Sequence, residues 1–361
     1  MISMKNIEVV ILGAGIGGLC TAIALHQQGF MNFKIFERRL SASTIGAGIV
    51  LWSNAGNILE KLNVLDEIKK TGGILSKMQR WSSKGEFLNE MDIEGIDKKE
   101  GYLSYSISRK TFHEILLNRI KELNIEVLFG YNVSNISTSQ NTSEAIVELD
   151  NNKTITADVI VGADGRMKSE ARKYVHGNST PVYQNYVNWV GLIEHPSPFI
   201  TENNILDYWG SGERFGLVPL SENKAYWAGC KILPAGMEKS EVSDKTTLMK
   251  IFKDWPSPIA SIIQETNDSF IKRIEVYDHD PIDKWYRNNV CLLGDAAHAA
   301  LPTSGQGACQ AIEDAWCFAN CLSQSSNNIK LTFSNYQQLR KKKTSEIIYS
   351  ARKFSQLIFK D

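Results

Sequence analysis

The residues with the clearest chemical purpose form a glycine-rich turn near the start of the chain. Gly13, Gly15 and Gly18 fit the spacing G-x-G-x-x-G and directly follow the apolar run VVIL at 9–12. In this spacing the first glycine makes a tight turn, the second lets the backbone approach a pyrophosphate, and the third packs helix against strand. The pyrophosphate would lie at a helix N-terminus, where unpaired N–H groups and the helix dipole favour an anion. The turn therefore predicts dinucleotide binding.

An acidic residue follows at the spacing that such a turn leads one to expect. A strand is predicted over 33–36, and Glu37 ends it, about 20 residues beyond the glycines. In dinucleotide-binding folds an acidic side chain at this position accepts hydrogen bonds from the adenosine ribose. The alternative is a surface carboxylate at a strand end. In the context of the glycine turn we favour ribose binding.

A second candidate turn lies in the segment GADGRMKSEAR at 162–172, after a buried strand predicted over 158–161. Asp164 and Gly165 leave the end of that strand, and Ser169 begins a helix. Asp164 either forms the turn and caps the helix or contacts a cofactor. The segment by itself leaves both interpretations open.

A third candidate turn lies in the stretch 290–316. A buried strand over 290–293 leads into a turn and a glycine loop before a helix that starts at about residue 308. A glycine loop before a helix N-terminus is again anion-binding geometry. The residues of interest are Gly294, Asp295, Pro302, Gly305, Gly307 and Ala308.

Arg109 begins an amphipathic helix predicted over 108–123. The helix dipole disfavours a cation at this end. Arg109 is therefore either solvated or balanced by a nearby anion.

The charge balance argues against polyanionic partners. The 361 residues include 40 Lys and Arg against 40 Asp and Glu, so we expect a small-molecule ligand and no nucleic acid.

The six cysteines contain no C-x-x-C pair, which favours a reducing, cytoplasmic location. Cys317 and Cys321 share a predicted helix face, where packing is favoured over a metal site. The apolar stretch 9–25 is interrupted by glycines, and no other run is long enough to span a bilayer.

The order of elements predicts two intertwined domains. Frequent aromatic residues between 180 and 278 predict a largely antiparallel sheet that forms a substrate domain, with 74–89 as its first extended piece. Glycines at 46 and 48 either let backbone lie against a flat ligand or merely make a turn. Further helices are predicted over 54–69, broken near Asn63, over 240–252, and over 332–357, the last with a solvated charge run at 340–343.

The three stretches together resemble the group A flavoprotein monooxygenases, the para-hydroxybenzoate hydroxylase superfamily, over essentially the whole chain. The resemblance implies an α/β fold: a Rossmann-like, glutathione-reductase-type FAD-binding domain with an inserted, mainly antiparallel substrate domain. We expect the FAD-binding domain to comprise 1–75, 101–178 and 275–361, and the substrate domain 76–100 and 179–274. The cofactor-binding residues that it implies are Gly13, Gly15, Gly18, Glu37, Arg38, Arg109, Asp164, Gly165, Asp295, Gly305, Gly307 and Ala308.

The resemblance also implies roles for individual residues of the third turn. Asp295 would contact the ribityl chain of FAD, and Pro302 would lie beside the flavin ring. His298 is interpreted as structural, and no metal or catalytic side chain is required. One departure is that Ser169 lies five residues after Asp164, whereas the family commonly has four, so roles for Ser169 and Arg172 carry over poorly.

The segment 209–227 is similar to the corresponding segment of flavin-dependent urate hydroxylases. There an arginine and a tyrosine bind the purine, and Arg214 and Tyr226 fall at matching positions. A guanidinium suits an anionic, planar, oxygen-rich ligand. The alternative is that Arg214 is a surface arginine of the sheet and Tyr226 an ordinary packing residue.

The implied activity is that of an FAD-dependent monooxygenase that consumes NADH or NADPH and O2. It would hydroxylate a small aromatic or heteroaromatic acid, possibly urate, through a flavin C4a-hydroperoxide, as a monomer or homodimer. One alternative is hydroxylation or epoxidation of a larger polycyclic compound such as an antibiotic or pigment. A second alternative is a flavin-binding redox partner without turnover. Halogenation is disfavoured because the W-x-W signature is absent.

Overall fold

The computed structural model describes residues 7–41, 48–139, 144–194, 203–221, 224–234, 236, 242–325 and 328–360. Gly46 and the first two residues of the helix predicted from 240 lie outside these ranges. The strands are β1 Val9–Leu12, β2 Phe33–Glu37, β3 Gly48–Leu51, β4 Gly73–Ile74, β5 Lys77–Ser82, β6 Phe87–Asp92, β7 Tyr105–Ser108, β8 Val127–Phe129, β9 Val133–Thr138, β10 Ala145–Leu149, β11 Thr154–Ala157, β12 Val159–Gly162, β13 Val182–Glu194, β14 Asn204–Gly210, β15 Glu213–Ser221, β16 Lys224–Ile232, β17 Lys272–Asp278, β18 Tyr286–Arg287 and β19 Val290–Leu292.

The helices predicted over 108–123 and 332–357 are present within a few residues of the expected bounds, whereas the helices at 93–100 and 259–265 were not predicted. Residues 54–69 do form helix, interrupted at Asn63, where the backbone adopts a φ of 56°. The helices are α1 Ile16–Gln27, α2 Gly56–Lys61, α3 Leu65–Thr71, α4 Ile93–Glu100, α5 Arg109–Glu122, α6 Glu170–His176, α7 Asp244–Phe252, α8 Ile259–Glu265, α9 Asp295–His298, α10 Gly307–Gln324 and α11 Ile329–Ile358. No helix within the described ranges is long and apolar enough to cross a membrane.

A six-stranded sheet has the order β18-β19-β12-β1-β2-β8. Its pairs from β19 to β8 are parallel, and only the edge strand β18 runs antiparallel. The central strands β1, β12 and β19 are buried throughout, as expected where helices cover both faces of a parallel sheet. Their apolar sequences therefore explain why they occupy the middle.

A seven-stranded sheet has the order β17-β13-β16-β15-β14-β5-β6. Every pair is antiparallel except β14 with β5. On β13 and β16 buried and half-buried side chains alternate, so one face packs under α7 and α8 while the other remains partly open. The predicted fold class, a Rossmann-like α/β unit with an inserted, mainly antiparallel sheet, is confirmed. The boundaries at 75/76, 100/101, 178/179 and 274/275 stay a proposal, and β17 runs across the last of them.

Candidate functional site

The three candidate turns meet at one edge of the six-stranded sheet. The strands β1, β12 and β19 lie side by side and are parallel, so the turns that follow them emerge at the same edge. β2 pairs with β1 on its other side and brings Glu37 to this edge. In open α/β sheets ligands bind outside the carboxyl ends of the strands. The topology therefore assembles one site from segments far apart in sequence.

The glycine turn has the geometry that its spacing predicts. Gly13 has a φ of +101°, and a Cβ there would overlap the carbonyl oxygen of Ala163. A Cβ on Gly18 would overlap the carbonyl oxygen of Gly13. A Cβ on Gly15, in contrast, would meet no atom within 4 Å. Two glycines are thus required by the protein itself, whereas Gly15 borders open space at the start of α1.

The N-terminus of α1 presents its N–H groups without competition. Gly15 is the N-cap residue and offers no side-chain hydrogen bond, and the first turn contains no acidic residue. Glu37 lies beside this turn, because its Oε2 accepts a hydrogen bond from the Ala14 N–H at 2.9 Å. His113, which the sequence did not single out, packs there too, with its Nε2 2.7 Å from the Ala14 carbonyl oxygen.

Asp164 is bound within its own turn. It accepts hydrogen bonds from Ser169 Oγ at 2.5 Å and from the Ala171 N–H at 3.1 Å. Burial raises the pKa of Asp164 to about 6, although these hydrogen bonds and the charge of Arg38 act in the opposite direction. Ser169 caps α6 as expected. These contacts favour the turn-and-cap interpretation for the Asp164 side chain, and the neighbouring Gly165 adopts a φ of +85°.

The third turn places Asp295 among arginines. Asp295 Oδ2 pairs with Arg166 Nη2 at 3.0 Å and accepts from Arg166 Nε at 3.1 Å. The pKa of Arg109 is lowered, mainly by burial and also by the charges of Arg166 and Arg39, although Asp295 acts in the opposite direction. Arg109 has no hydrogen-bond or ion-pair partner among the described residues. Two guanidinium groups, those of Arg166 and Arg109, therefore act on one carboxylate, and this excess of positive charge suits an anionic ligand.

The second glycine loop ends at an uncapped helix. Pro302–Ser304 form a 3₁₀ turn, Gly305 has a φ of +62°, and α10 begins at Gly307. The N-cap residue Gln306 accepts no hydrogen bond from the backbone N–H groups of the helix through its side chain, which bonds to Gln310 Nε2 instead, and a Cβ on Gly307 would meet no atom within 4 Å. The first N–H groups of α10, including that of Ala308, are therefore available to a ligand. Trp52, an unpredicted contributor, donates from Nε1 to the Gly305 carbonyl oxygen at 2.9 Å.

A buried polar network anchors the third turn. Asp314 on α10 accepts hydrogen bonds from the Gly294 N–H at 3.0 Å and from Arg340 Nε at 2.7 Å, and its Oδ2 lies 2.5 Å from His298 Nε2. Arg340 also pairs with Glu313. The expectation that 340–343 is a solvated charge run is therefore wrong for Arg340, whose side chain is 7% exposed.

The reason for this error is helical spacing. Tyr336, Arg340, Thr344 and Ile348 recur every four residues and form the buried face of α11. Lys342 and Lys343 fall outside that face and are exposed. A run of four basic residues therefore divides between the core and the surface.

The same network predicts acid sensitivity. Burial raises the pKa of Asp314, but His298 and Arg340 more than compensate and lower it from 3.8 to about 2. Because the pKa of this carboxyl group is lower in the folded protein than in the unfolded chain, the ionised carboxylate stabilises the fold at pH values above the unfolded pKa. This contribution of about 2 kcal/mol is lost as the pH falls from about 4 to 2. Urea unfolding across this range should show a steeper loss of stability in the wild type than in Asp314→Asn. Equal slopes in the two proteins would contradict the assignment.

The open face of the seven-stranded sheet carries Arg214 and Tyr226. Arg214 on β15 pairs with Cys230 on β16, and Val218 pairs with Tyr226, so residues 214, 218, 226 and 230 share a face. Arg214 Nε donates to Asp207 Oδ1 at 2.6 Å. The structure thus brings the two predicted substrate residues onto one face and adds Asp207, which nothing in the sequence pattern marked.

This face lies against the glycine-loop side of the molecule. A Cβ on Gly48 would overlap the Tyr226 ring, so backbone of β3 lies directly against that ring. Trp52, which holds Gly305, packs in the same apolar cluster as Tyr226. Cys230 clusters with Leu301, the residue before Pro302. The sheet face and the second glycine loop therefore border the same region.

Among the described residues, Cys317, Cys321 and their neighbours form no cluster suited to a metal ion.

Comparison with known proteins agrees with this architecture. The family model described as "FAD binding domain" matches residues 6–343. The aurachin C monooxygenase/isomerase of Stigmatella aurantiaca is 30% identical over 98% of this chain and 90% of its own length. The FAD-dependent urate hydroxylase of Mycolicibacterium vanbaalenii is 30% identical over 96% of this chain and 87% of its own.

A solved structure with the same arrangement is Klebsiella pneumoniae HpxO complexed with FAD and uric acid. It superposes with a TM-score of 0.90 at 27% identity, covering 98% of this chain and 89% of that one. The sheet edge where the three turns meet therefore belongs to a fold that the two proteins share over nearly the whole of this chain. We conclude that the chain belongs to the FAD-binding-domain family of group A flavoprotein monooxygenases.

Proposed function

We propose that this flavoprotein consumes NADH or NADPH and O2 to hydroxylate a small aromatic or heteroaromatic acid, with urate as the first candidate. The observation that carries the proposal is the shared border between the second glycine loop and the face with Arg214 and Tyr226. A substrate against that face would lie beside a flavin held by the loop. A hydroxylase needs this adjacency, and a flavin-binding redox partner without turnover does not.

The open space at the sheet edge fits FAD. Gly15 and Gly307 are two glycines whose Cβ would meet no atom within 4 Å, and each lies at the N-terminal end of an uncapped helix. We assign the pyrophosphate to the N-terminus of α1 and to the cationic cluster with Arg109. Glu37 would accept from the adenosine ribose, Asp295 from the ribityl hydroxyls, and the N–H groups of Gly307 and Ala308 would face the flavin. Arg38 and Gly165 would also contact FAD, and Pro302 would lie beside the flavin ring.

The protein's contribution to the chemistry is binding, orientation and exclusion of water. When bound, FAD supplies hydride acceptance and oxygen activation. Arg214 would orient the substrate through its guanidinium amino groups, and Tyr226 through a hydroxyl that has no hydrogen-bond partner within the described ranges. The apolar cluster around Val50, Val218 and Trp52 would keep water from the reacting atoms.

Arg214→Lys tests the substrate site. Lysine keeps the positive charge beside Asp207 but lacks the planar fork of donors, so we expect kcat/KM for the substrate to fall about 100-fold with FAD content unchanged. The measurement is substrate-stimulated NADH and NADPH oxidation by FAD-loaded protein, over a panel containing urate, salicylate, hydroxybenzoates and tetracycline. Lys231→Arg, on a half-buried ion pair of the same sheet, is the matched control. Unchanged kcat/KM in Arg214→Lys would contradict the assignment.

A further inference from the structure

Asp207 occupies a position that controls Arg214. Its side chain is 1% exposed and lies at the centre of a polar cluster on β14. Oδ1 accepts from Arg214 Nε at 2.6 Å, and Oδ2 accepts from Trp209 Nε1 at 2.8 Å. Two donors therefore fix this carboxylate, and the carboxylate in turn fixes the guanidinium.

The fixed pair leaves one end of Arg214 available. Because Asp207 takes the Nε edge, a ligand would approach the end that carries the two amino groups, where the Cys230 side chain also contacts Arg214. Arg214 Nη2 lies 3.8 Å from the point where a Cβ on Gly216 would stand, and no atom comes closer to that point. Asp207 Oδ1 lies 3.9 Å from the same point, so the amino end and the carboxylate together border the space above Gly216, and the Arg214 side chain is 18% exposed.

The charge of the pair is balanced. A carboxylate ligand at the amino end of Arg214 would gain attraction from the guanidinium but would meet repulsion from the buried Asp207 directly behind it. Arg80 supplies a second positive charge, 4.0 Å from Asp207 Oδ2. It lies on the other side of the carboxylate, stacked over the rings of Trp209 and Phe354 and bonded to Asn89. Arg80 is therefore nearest to Oδ2, whereas Oδ1 is the carboxylate oxygen that borders the space above Gly216.

We propose that Asp207 is a positioning and specificity-determining residue. It makes the pocket select planar heteroaromatic compounds that present a ring carbonyl, or a charge spread over the ring, and reject compounds that present a carboxylate. This inference rests on the proposed function and narrows its substrate class. Urate satisfies the rule, because its acceptors are ring carbonyl oxygens and its negative charge is delocalised.

A matched pair of ligands tests the proposal. The probes are 4-quinolone and 4-quinolone-2-carboxylate, which differ only by the carboxylate. Their dissociation constants are measured from the flavin absorbance change of the FAD-loaded protein. We expect the wild type to bind 4-quinolone at least tenfold more tightly than the carboxylate. Asp207→Asn removes the negative charge and keeps the shape, so we expect the ratio of the two constants to shift by about tenfold toward the carboxylate.

Two further variants separate this role from a structural one. Asp207→Glu retains the charge and should restore the wild-type ratio. Glu213→Gln alters an ion pair with Lys231 that is next in register to the Arg214–Cys230 pair but on the opposite face of the sheet, and it should leave the ratio unchanged. Tighter binding of the carboxylate by the wild type, an unaltered ratio in Asp207→Asn, or binding of neither probe would overturn the proposal. Failure of the proposed function would instead appear as loss of FAD binding or of NAD(P)H oxidation in the wild type.

Discussion

Gly15→Val is expected to weaken FAD binding at least 100-fold while leaving the fold intact. A Cβ at this position meets no protein atom, and its φ of −76° suits any residue. The valine methyl groups would instead occupy the space that the pyrophosphate needs beside the N-terminus of α1. Loss of one or two charge-assisted hydrogen bonds, at about 1.5–3 kcal/mol each, accounts for the magnitude.

The measurement is the dissociation constant of FAD, from flavin fluorescence on titration of the apoprotein, together with the thermal unfolding midpoint of the apoprotein. The control is Gly101→Ala, which also adds a Cβ to open space but lies at the end of α4 with a φ of +78°. That variant should lose about 1 kcal/mol of stability and bind FAD normally. Normal FAD affinity in Gly15→Val would remove the glycine turn from the cofactor site.

Arg340→Met is expected to lower the free energy of unfolding by about 3–5 kcal/mol, because it removes the guanidinium that pairs with the buried carboxylate of Asp314 and with Glu313. Asp314 is fully buried and holds the Gly294 N–H. We therefore also expect looser FAD retention, although Arg340 lies on α11 and is assigned no contact with the cofactor.

Chemical denaturation and FAD release on dilution measure the two effects. Lys342→Met is the matched control, since Lys342 belongs to the same run of basic residues but is exposed; it should change stability by less than about 0.5 kcal/mol. Equal stability of the two variants would mean that the network contributes little.

The sequence predicted the parts of the site that obey local rules. The glycine turn, the strand before it and Glu37 follow from spacing and strand ends, and the structure places all three at one sheet edge. Ser169 was correctly expected to start a helix, because capping depends on neighbours in sequence. The interruption at Asn63 was equally local.

The parts that were missed depend on contacts distant in sequence. Asp207 acquires its role from Arg214 across a hairpin and from Arg80 on a parallel neighbour strand. Arg340 looked like one member of a basic run, and only the four-residue recurrence with Tyr336, Thr344 and Ile348 could have marked it as buried. Arg166 follows the second turn, but its partner Asp295 lies 129 residues away. No local pattern encodes such pairings.

The most direct test of the central claim is oxygen transfer by the FAD-loaded protein under ¹⁸O₂. The reaction contains NADH or NADPH and each compound of the panel in turn, with urate first, and mass analysis follows each compound. The account predicts that at least one planar heteroaromatic compound both stimulates NAD(P)H oxidation and gains a single ¹⁸O atom. NAD(P)H oxidation that yields only hydrogen peroxide with every compound, or no oxidation at all, would contradict it.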